Sequence, residues 1–343
     1  LGGEAQRLRT TWKGEDVKKY LVRLRTQVIN HSNIEILKGT RVTDVTGFVG
    51  NFTTTLEGMG EKREVHHGVI VVATGARPSE TVEYLRGQSD RVTTWHEMAD
   101  VFEKEPDRLK EAEGVVFIQC VGSREPQHPY CSKICCTTSI QQAICLKKRK
   151  PDLDVTILYR DIRTYGQREK LYREARALGV LFIRYTLDEK PLVRRSEENG
   201  KEKLHIVVKD PILGMPVQIT ADYLNLATAI VPGNNQELAK ILKVPLNEDG
   251  FFLEAHAKLR PVDFSTDGIF VCGLSHYPKP IEESISQAQA AAMRAAGVLS
   301  QKTVLVSPVV SVVDPSLCIG CGLCAESCPF GAMHLSAISG KGY

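Results

Sequence analysis

The sequence lacks the features that define several common classes of protein. No apolar run approaches the length of a membrane-spanning helix and no signal peptide stands at the start, so we expect a cytoplasmic protein. The formal net charge is only +3, which gives no reason to expect a nucleic-acid-binding surface. The Gly-x-Gly-x-x-Gly fingerprint is also absent, so the sequence predicts no nucleotide site of the usual kind.

The ten cysteines are gathered in tight groups. Disulfide frameworks of secreted domains spread their cysteines along the chain, whereas grouped cysteines indicate metal ligation in a reducing compartment. The chain has 343 residues, which is enough for two domains that each bury a core.

The run Cys318-Ile-Gly-Cys-Gly-Leu-Cys-Ala-Glu-Ser-Cys-Pro329 has four cysteines spaced two, two and three residues apart. This spacing is typical of a bacterial ferredoxin, in which three thiolates hold one [4Fe-4S] cluster and the fourth serves a second cluster. We therefore expect Cys318, Cys321 and Cys324 to ligate one cluster and Cys328 another. A zinc knuckle is the alternative, although zinc sites usually separate their cysteine pairs by about a dozen residues.

Both ends of the sequence indicate a piece of a longer protein. The chain begins with Leu1 instead of Met, and no second four-cysteine run follows Pro329 before Tyr343. We therefore expect the remaining ligands of both clusters beyond Tyr343.

An internal repeat links two parts of the chain. The apolar runs 67–78 and 221–232 both contain Ala-Thr followed by a small residue, and both end at a proline. Each run follows alternating residues typical of hairpin strands, at 52–65 and 204–220. Two similar units predict two similar domains, although a plain buried strand before a turn is the alternative for each run.

This arrangement resembles the thioredoxin-reductase and glutathione-reductase class of flavoproteins, which have two dinucleotide-binding domains. In that class a strand ending in Ala-Thr-Gly passes beside FAD, and Ala73-Thr74-Gly75 fits this position. A third apolar strand ends at Gly273 and precedes a helix predicted over 281–296, whose N-terminus faces the cofactor in that class. The sequence departs from the class after Gly273, where Leu274 replaces the usual Asp.

The flavoprotein resemblance also implies a missing part. Residues 1–3 resemble the end of the second strand of the FAD domain, so the fingerprint for the FAD pyrophosphate would lie upstream of Leu1. We therefore expect this chain alone to bind FAD poorly or not at all. The resemblance implies FAD contacts at Gly2, Gly3, Val42, Ala73, Thr74, Gly75, Gly273, Leu274, Ser275 and Glu282.

A second group of cysteines stands where the second domain would bind its nucleotide. Cys120 follows a strand predicted over 114–119, and Cys131 and the pair Cys135-Cys136 precede a helix predicted over 137–148. Four thiols thus replace the glycine-rich loop, and they could converge on one metal centre. Adjacent residues cannot face one way on a regular helix, so we expect irregular backbone at the pair.

The residues alone leave other roles open for these cysteines. The adjacent pair could form a redox-active or structural disulfide, Cys120 could be a buried strand residue, and Cys131 could be a spare thiol. Two further cysteines, Cys145 and Cys272, fit inert core positions.

Five segments together resemble the A subunit of heterodisulfide reductase, and the resemblance spans nearly the whole chain. The segments are 119–124, 130–136, 164–166, 273–279 and the ferredoxin run. The resemblance implies a thioredoxin-reductase-like core with an inserted [4Fe-4S] cluster and a ferredoxin domain. It also implies that Cys120, Cys131, Cys135 and Cys136 ligate the inserted cluster.

The same resemblance implies a role in electron bifurcation at FAD. An electron pair from a hydrogenase, a formate dehydrogenase or a flavin oxidoreductase would be divided between a low-potential ferredoxin and subunits B and C with their disulfide. A homodimer of the catalytic unit is implied as well. Lys279 is the candidate residue near the flavin, because a positive charge stabilises an anionic reduced flavin. His276 and Tyr165 also lie in motif-bearing turns, with packing as the alternative role.

Other functions remain open on the sequence. The quinone-interacting membrane-associated oxidoreductases of sulfate metabolism have chains similar to the same heterodisulfide reductase component. An NAD(P)H-dependent disulfide reductase could use Cys135 and Cys136 as its dithiol, although the missing fingerprint argues against it. A non-catalytic assembly module whose cysteines hold zinc is a further alternative.

The predicted fold class is α/β, with a two-dinucleotide-binding-domain, thioredoxin-reductase-like core and a partial bacterial-type ferredoxin domain. The predicted order is the first part of the FAD-binding domain, an NAD-like domain with an inserted cluster, the second part of the FAD-binding domain, and the ferredoxin part. The corresponding residues are 1–112, 113–235, 236–303 and 304–343.

Overall fold

The computed structural model describes residues 1–58, 60–105, 107, 110–198, 200–303, 311–328, 332–336, 339, 340 and 342, with the backbone alone at 99, 102 and 103. Pro329 and Tyr343, on which two of the sequence predictions rest, lie outside the described residues.

The elements alternate between strands and helices along the chain. The strands are β1 (Thr40–Phe48), β2 (Asn51–Gly58), β3 (Glu61–His67), β4 (Ile70–Val72), β5 (Ala76–Pro78), β6 (Val92–Thr94), β7 (Gly114–Val121), β8 (Asp154–Tyr159), β9 (Leu181–Arg184), β10 (Leu192–Glu198), β11 (Lys201–Asp210), β12 (Met215–Ala221), β13 (Tyr223–Thr228), β14 (Ile230–Pro232) and β15 (Ile269–Val271). The helices are α1 (Val17–Ile29), α2 (Trp95–Lys104), α3 (Cys135–Arg149), α4 (Glu169–Ala177), α5 (Gln236–Leu242), α6 (Ile281–Leu299) and α7 (Leu323–Ser327).

The chain divides into two units, each made of separate stretches. The first consists of Leu1–His31, Ala76–Val231 and Pro278–Ile281, and the second contains the described residues of Ser32–Gly75, Pro232–Tyr277 and Glu282–Tyr343. The four-part division into 1–112, 113–235, 236–303 and 304–343 stays a prediction.

A five-stranded parallel sheet forms the centre of the first unit, in the order β6-β13-β7-β8-β9. Every residue of β7 and of β13 is buried, as expected for parallel strands that are covered on both faces. One core cluster includes Phe117 and Ile157 together with Ile140 and Ala143 of α3, and another includes Ile118 and residues of β11. The sheet and α3 thus form a scaffold whose carboxyl edge carries the loops.

The second unit has a small parallel pair of strands. β4 pairs with β15 in register from Ile70↔Ile269 to Val72↔Val271. Phe252, Phe264 and Ile269 are buried in the core beside this pair.

The internal repeat is confirmed as a structural repeat. β1, β2 and β3 form a three-stranded antiparallel sheet before β4, and β10, β11 and β12 form another before β13. In both parts of the chain, the residues of alternating polarity form an antiparallel sheet. The apolar run that follows forms a strand with parallel neighbours.

The predicted strand end at residues 1–3 is wrong. Gly3–Arg7 forms a short 3-10 helix, and the φ angles of Gly2 and Gly3 are 100° and 44°. These are left-handed backbone values, which an extended strand does not contain.

His96 is buried in the first turn of α2, which a capping box of Thr94 and Glu97 begins. Its ring lies against Trp95, with the ring centroids 3.4 Å apart. Within the described ranges neither ring nitrogen has a hydrogen-bond partner, and Oε2 of Glu4 is 3.6 Å from Nε2. Burial, with the nearby charge of Arg7, lowers the pKa of His96 to about 3, so the imidazole is neutral at pH 7.

We expect His96 to make the folded state sensitive to mild acid. The unfolded chain protonates His96 near its ordinary pKa of 6.5 and the folded chain does not, so stability falls as the pH drops below that value. At pH 5 the loss is about 2 kcal/mol, from about 1.4 kcal/mol per pH unit. Urea unfolding at pH 7.5 and pH 5 should therefore show a smaller pH effect for His96→Phe than for the unmodified chain. The exposed-site variant His31→Gln serves as the control, and an unchanged pH effect in His96→Phe would contradict the assignment.

Candidate functional site

The end of β7 and the first residues of the loop after it have an unusual backbone conformation. Cys120 and Arg124 have φ angles of 61° and 59°, and Gly122 between them has 69°. Residues with a Cβ rarely adopt such values, and they are concentrated at functional sites where surrounding contacts hold them in place. Contacts with surrounding residues therefore have to hold the backbone in this conformation.

The side chain of Arg160 holds this loop. Arg160 directly follows β8, the neighbour of β7, and is only 7% exposed. Its Nη1 donates to the carbonyl oxygen of Arg124 at 2.8 Å, and its Nη2 donates to the carbonyl oxygens of Cys120, at 3.3 Å, and Ser123. A single buried guanidinium thus satisfies three backbone acceptors that the sheet leaves free.

A second set of hydrogen bonds connects the end of the loop to β14. Ser123 Oγ donates to the carbonyl oxygen of Tyr130 at 2.9 Å, and the Tyr130 hydroxyl donates to the carbonyl oxygen of Ile230 at 3.0 Å. The amide of Ile230 donates to Ser132 Oγ at 2.9 Å, and Ser132 Oγ donates to Ser123 Oγ at 3.3 Å. The segment between Cys120 and the helix is therefore fixed at both ends.

The adjacent cysteines are the first two residues of α3. The prediction of irregular backbone at the pair itself is wrong, because Cys135 and Cys136 are regular helical residues. The irregular residue is Lys133, with a φ angle of 59°, which turns the chain just before the helix begins. The helix therefore starts two residues earlier than the predicted Thr137.

The N-terminus of α3 favours negative charge. No described side chain caps this end of the helix, so its positive dipole end acts on Cys135 and Cys136, which are 4% and 3% exposed. Cysteines at a helix N-terminus are stabilised as thiolates. The amide of Lys133 also donates to Cys131 Sγ at 3.3 Å.

The other three thiols lie close enough to Cys135 to affect its ionisation. The pKa of Cys135 is raised well above its usual range by its hydrogen bond with Cys136 and by burial, and the charges of Cys136, Cys120 and Cys131 raise it further. The pKa of Cys136 is lowered, first by that hydrogen bond and then by Arg163 and Arg124. Burial raises the pKa of Cys120, against the opposing charges of Arg160 and Arg124.

The donor set suits an iron-sulfur cluster. Among the described side chains, no three Cys, His, Asp or Glu residues are already arranged to hold a metal ion. The residues present are nevertheless four thiols, an uncapped helix terminus and cationic side chains, which favour thiolates and a negatively charged cluster. Of the cysteines predicted to be inert, Cys145 is half-buried in the later part of α3, and Cys272 is buried after β15 in the second unit.

The ferredoxin run consists of the short helix α7 and the loop residues on either side of it in the sequence. Cys318 and Cys328 are half-buried, and Cys321 and Cys324 are exposed. The amide of Gly342 donates to Cys318 Sγ at 3.3 Å, and a Cβ at Gly342 would lie 3.5 Å from Cys324 Sγ. Backbone N–H groups that point at cysteine sulfur are among the features that tune iron-sulfur clusters.

Two turns in the second unit contain residues that the sequence predicts to contact FAD. Ala73-Thr74-Gly75 follows β4 and Gly273–Ser275 follows β15, so both turns lie at the carboxyl edge of the paired strands. Gly75 and Gly273 have φ angles of 79° and 73°, and a Cβ added to either would meet no described atom within 4 Å. Open backbone of this kind gives a flat cofactor close access.

A cavity of about 350 Å³ lies beside the first of these turns. Val42, Ala73 and Thr74 line it, together with Leu238 and Leu242 of α5. Three of the residues predicted to contact FAD thus share one apolar cavity, of a size common for cofactor sites.

The other predicted residues have varied surroundings. Gly2 and Gly3 belong to the first unit, and Glu282 is in the first turn of α6. Lys279 is buried, and Tyr165 is 43% exposed with the guanidinium of Arg168 4.6 Å from its ring centroid.

His276 belongs to a chain of polar contacts that the sequence did not predict. Its Nε2 lies 2.7 Å from Glu254 Oε2, and its Nδ1 lies 2.8 Å from Gln287 Nε2. Gln287 Oε1 accepts a hydrogen bond of 2.9 Å from the amide of Gly273. These contacts hold the second turn in place.

Known proteins match both the ferredoxin run and the core. Residues 311–334 match the family described as 4Fe-4S binding domain, which confirms the iron-sulfur prediction for this run. A protein of Archaeoglobus profundus that is named as similar to the A subunit of heterodisulfide reductase is 36% identical over 270 residues, which cover 78% of this chain and 37% of that protein. The A subunit of the H(2):CoB-CoM heterodisulfide,ferredoxin reductase of Methanothermobacter thermautotrophicus is 35% identical over 294 residues, which cover 80% and 43%.

The chain is a relative of the A subunit of heterodisulfide reductase. It spans less than half the length of these two heterodisulfide reductase proteins. Thioredoxin reductase of T. acidophilum has the same fold, with a TM-score of 0.57 at 15% identity over 87% of this chain and 86% of that one. The predicted thioredoxin-reductase-like core with a ferredoxin-type segment is therefore confirmed.

The described helices also bear on the membrane question. None of them combines the length and apolar content that a membrane span requires.

The contribution of the loop hydrogen bonds to the free energy of unfolding can be measured at Ser132. Ser132→Ala removes the buried acceptor of the Ile230 amide, and an unsatisfied buried donor costs about 1–3 kcal/mol. We expect urea unfolding of the metal-free chain to show a loss of that size. The exposed variant Ser300→Ala should change stability by less than about 0.5 kcal/mol. Equal stabilities of the two variants would show that the Ser132 bond is unimportant.

Proposed function

We propose that this chain is the flavin- and iron-sulfur-bearing electron-transfer part of a heterodisulfide-reductase-like complex, and that it is an oxidoreductase only within that complex. The observation that carries the proposal is the group of four thiols at the end of β7 and in the segment up to the start of α3, where Cys120, Cys131 and Cys136 all act on Cys135. They occupy the carboxyl edge of a parallel sheet, where a dinucleotide-binding domain normally has its phosphate loop.

In this proposal Cys120, Cys131, Cys135 and Cys136 hold one [4Fe-4S] cluster. Three features support it: the loop fixed by Arg160, the uncapped N-terminus of α3 and the cationic surroundings of the thiols. The ferredoxin run supplies Cys318, Cys321 and Cys324 to a second cluster and Cys328 to a third.

FAD is the proposed second cofactor, and when bound it exchanges electrons both in pairs and singly. The open turns at Ala73-Thr74-Gly75 and Gly273–Ser275 would lie along it, and Val42 would line its cavity. Gly2, Gly3 and Glu282 complete the proposed contacts. The buried Lys279 is the proposed residue that stabilises negative charge on the reduced flavin.

The proposed partners follow from the names of the relatives. One relative is named as a reductase of both a CoB-CoM heterodisulfide and ferredoxin with H2, which are two acceptors for one donor. We extend this to flavin-based electron bifurcation, in which each donor pair is divided between ferredoxin and the subunits B and C that reduce the disulfide. A hydrogenase, formate dehydrogenase or flavin oxidoreductase is the proposed donor, and a cytoplasmic homodimer is the proposed form. A component of a quinone-interacting oxidoreductase of sulfate metabolism is the alternative with another acceptor.

One observation favours a second function. The hydrogen bond between Cys135 and Cys136, which lowers the pKa of Cys136, is also what a reactive dithiol requires. An NAD(P)H-dependent disulfide reductase would use this pair directly. That function predicts NADPH oxidation by the purified protein, whereas the electron-transfer proposal predicts none.

We expect Cys135→Ser to lower the iron content by up to about four atoms per chain, since a serine hydroxyl is a weaker ligand for a [4Fe-4S] cluster than a thiolate. Iron and acid-labile sulfide should be measured on the anaerobically reconstituted protein, with flavin absorbance recorded on the same sample. Cys145→Ser, a thiol in the same helix outside the group, is the matched control and should lose no iron. Unchanged iron in Cys135→Ser would refute the cluster, and stoichiometric zinc without labile sulfide would support the assembly-module alternative instead.

A further inference from the structure

Two guanidinium groups near Cys120 have buried N–H groups that no described oxygen or nitrogen atom accepts. They are Nη1 of Arg124 and Nε of Arg160. Arg160 is 7% exposed, and the Arg124 side chain is 22% exposed. Buried charged donors are nearly always hydrogen-bonded, so an acceptor is expected at this position.

Nη2 of Arg124 and both Nη atoms of Arg160 have clear partners. Nη2 of Arg124 donates to Asp161 Oδ2 at 2.6 Å, and Arg160 donates to the three loop carbonyls described above. These contacts fix both guanidinium groups, so the positions of Nη1 of Arg124 and Nε of Arg160 are fixed as well. They are not ends of mobile side chains.

The acceptor near these donors is the thiol of Cys120, with which both guanidinium groups make a side-chain hydrogen bond. The charges of Arg124 and Arg160 act on Cys120, and the charge of Arg124 also acts on Cys136. Arg163 adds a third positive charge beside Cys136. The ferredoxin run contrasts with this, because residues 311–340 contain Asp314 and Glu326 but no Lys or Arg.

We propose that Arg124 and Arg160 are redox-tuning residues for the cluster held by Cys120, Cys131, Cys135 and Cys136. This inference rests on the proposed function. One-electron reduction of a cluster adds a negative charge without requiring a proton, and nearby cations and N–H donors to sulfur stabilise that charge. The two guanidiniums therefore raise the reduction potential of this cluster. They set it apart from the clusters of the ferredoxin run.

Substitutions at Asp161 and at Arg124 should shift the reduction potential of the cluster in opposite directions. The carboxylate of Asp161 accepts a hydrogen bond from Arg124, and the carbonyl oxygen of Asp161 is 3.7 Å from Cys136 Sγ. Removing the positive charge of Arg124 should make the cluster harder to reduce, and removing the negative charge of Asp161 should make it easier. A role in folding alone would not give shifts of opposite sign.

The experiment is a redox titration of the anaerobic holoprotein with dithionite as the one-electron donor, followed by EPR. The Arg124→Gln variant should lower the equilibrium constant for reduction of this cluster at least tenfold, which is about 59 mV for one electron. The Asp161→Asn variant should raise the constant. The Arg124→Lys variant, which keeps the charge, should recover at least half of the shift. Arg160 is left unchanged, because its carbonyl contacts hold the loop.

Two controls make the result specific. Arg184→Gln removes a charge 3.8 Å from Asp161 on a side chain that is 60% exposed, and should change the constant less than twofold. Where the ferredoxin run also holds a cluster in the holoprotein, the EPR signal of that cluster should not move in any variant. Equal shifts in Arg124→Gln and Arg184→Gln, or shifts of the same sign in Arg124→Gln and Asp161→Asn, would overturn the inference.

The outcomes separate this inference from the proposed function. If Cys135→Ser leaves every iron-sulfur signal in place, the proposed cluster itself is refuted. If that signal is lost in Cys135→Ser but its midpoint is unmoved in Arg124→Gln, only the tuning role is refuted. Should Arg124→Gln fail to assemble the cluster, the upward shift in Asp161→Asn decides the question alone.

Discussion

The contact between Arg160 and the loop after β7 is the interaction on which the candidate site depends. A φ angle of 61° on Cys120, a residue with a Cβ near the end of β7, is strained, and the buried carbonyl groups here need donors. The buried guanidinium supplies these donors from the neighbouring strand. The loop is therefore held in place from its first residues, next to Cys120.

Burial and charge oppose each other at this position. Desolvation disfavours thiolates in the core, and it raises the pKa of Cys120. The helix N-terminus and the arginine charges favour thiolates at the same place, and Arg163 and Arg124 help to lower the pKa of Cys136. An anionic group shared by all four sulfurs would satisfy both influences, because it would neutralise the cations without leaving isolated charges in the core.

Much of the fold could be predicted from the sequence, because it rests on local patterns. Alternating residues followed by an apolar run gave both three-stranded sheets and the parallel strands after them. The spacing of the ferredoxin run is equally local, and the family match over 311–334 agrees with it. The start of α3 was missed because neither Cys135 nor the preceding Ile134 is a capping residue.

The surroundings of the thiols depended on contacts distant in sequence. Arg160 follows an apolar strand and carries no motif, and its partners are 36 to 40 residues away. Arg124 was part of a motif, but its role depends on Asp161, which the sequence did not single out. Likewise, the contacts of His276 with Glu254 and Gln287 bring together three separate segments. Such roles depend on the tertiary packing of each unit, which the spacing of residues along the sequence does not predict.

The most direct test of the account is a crystal structure of the anaerobic holoprotein with anomalous data collected at the iron absorption edge. The account predicts a four-iron peak bounded by the sulfur atoms of Cys120, Cys131, Cys135 and Cys136, with each Fe–S contact at about 2.3 Å, the usual metal–thiolate distance. A disulfide between Cys135 and Cys136, or a single zinc ion among the four thiols, would contradict it.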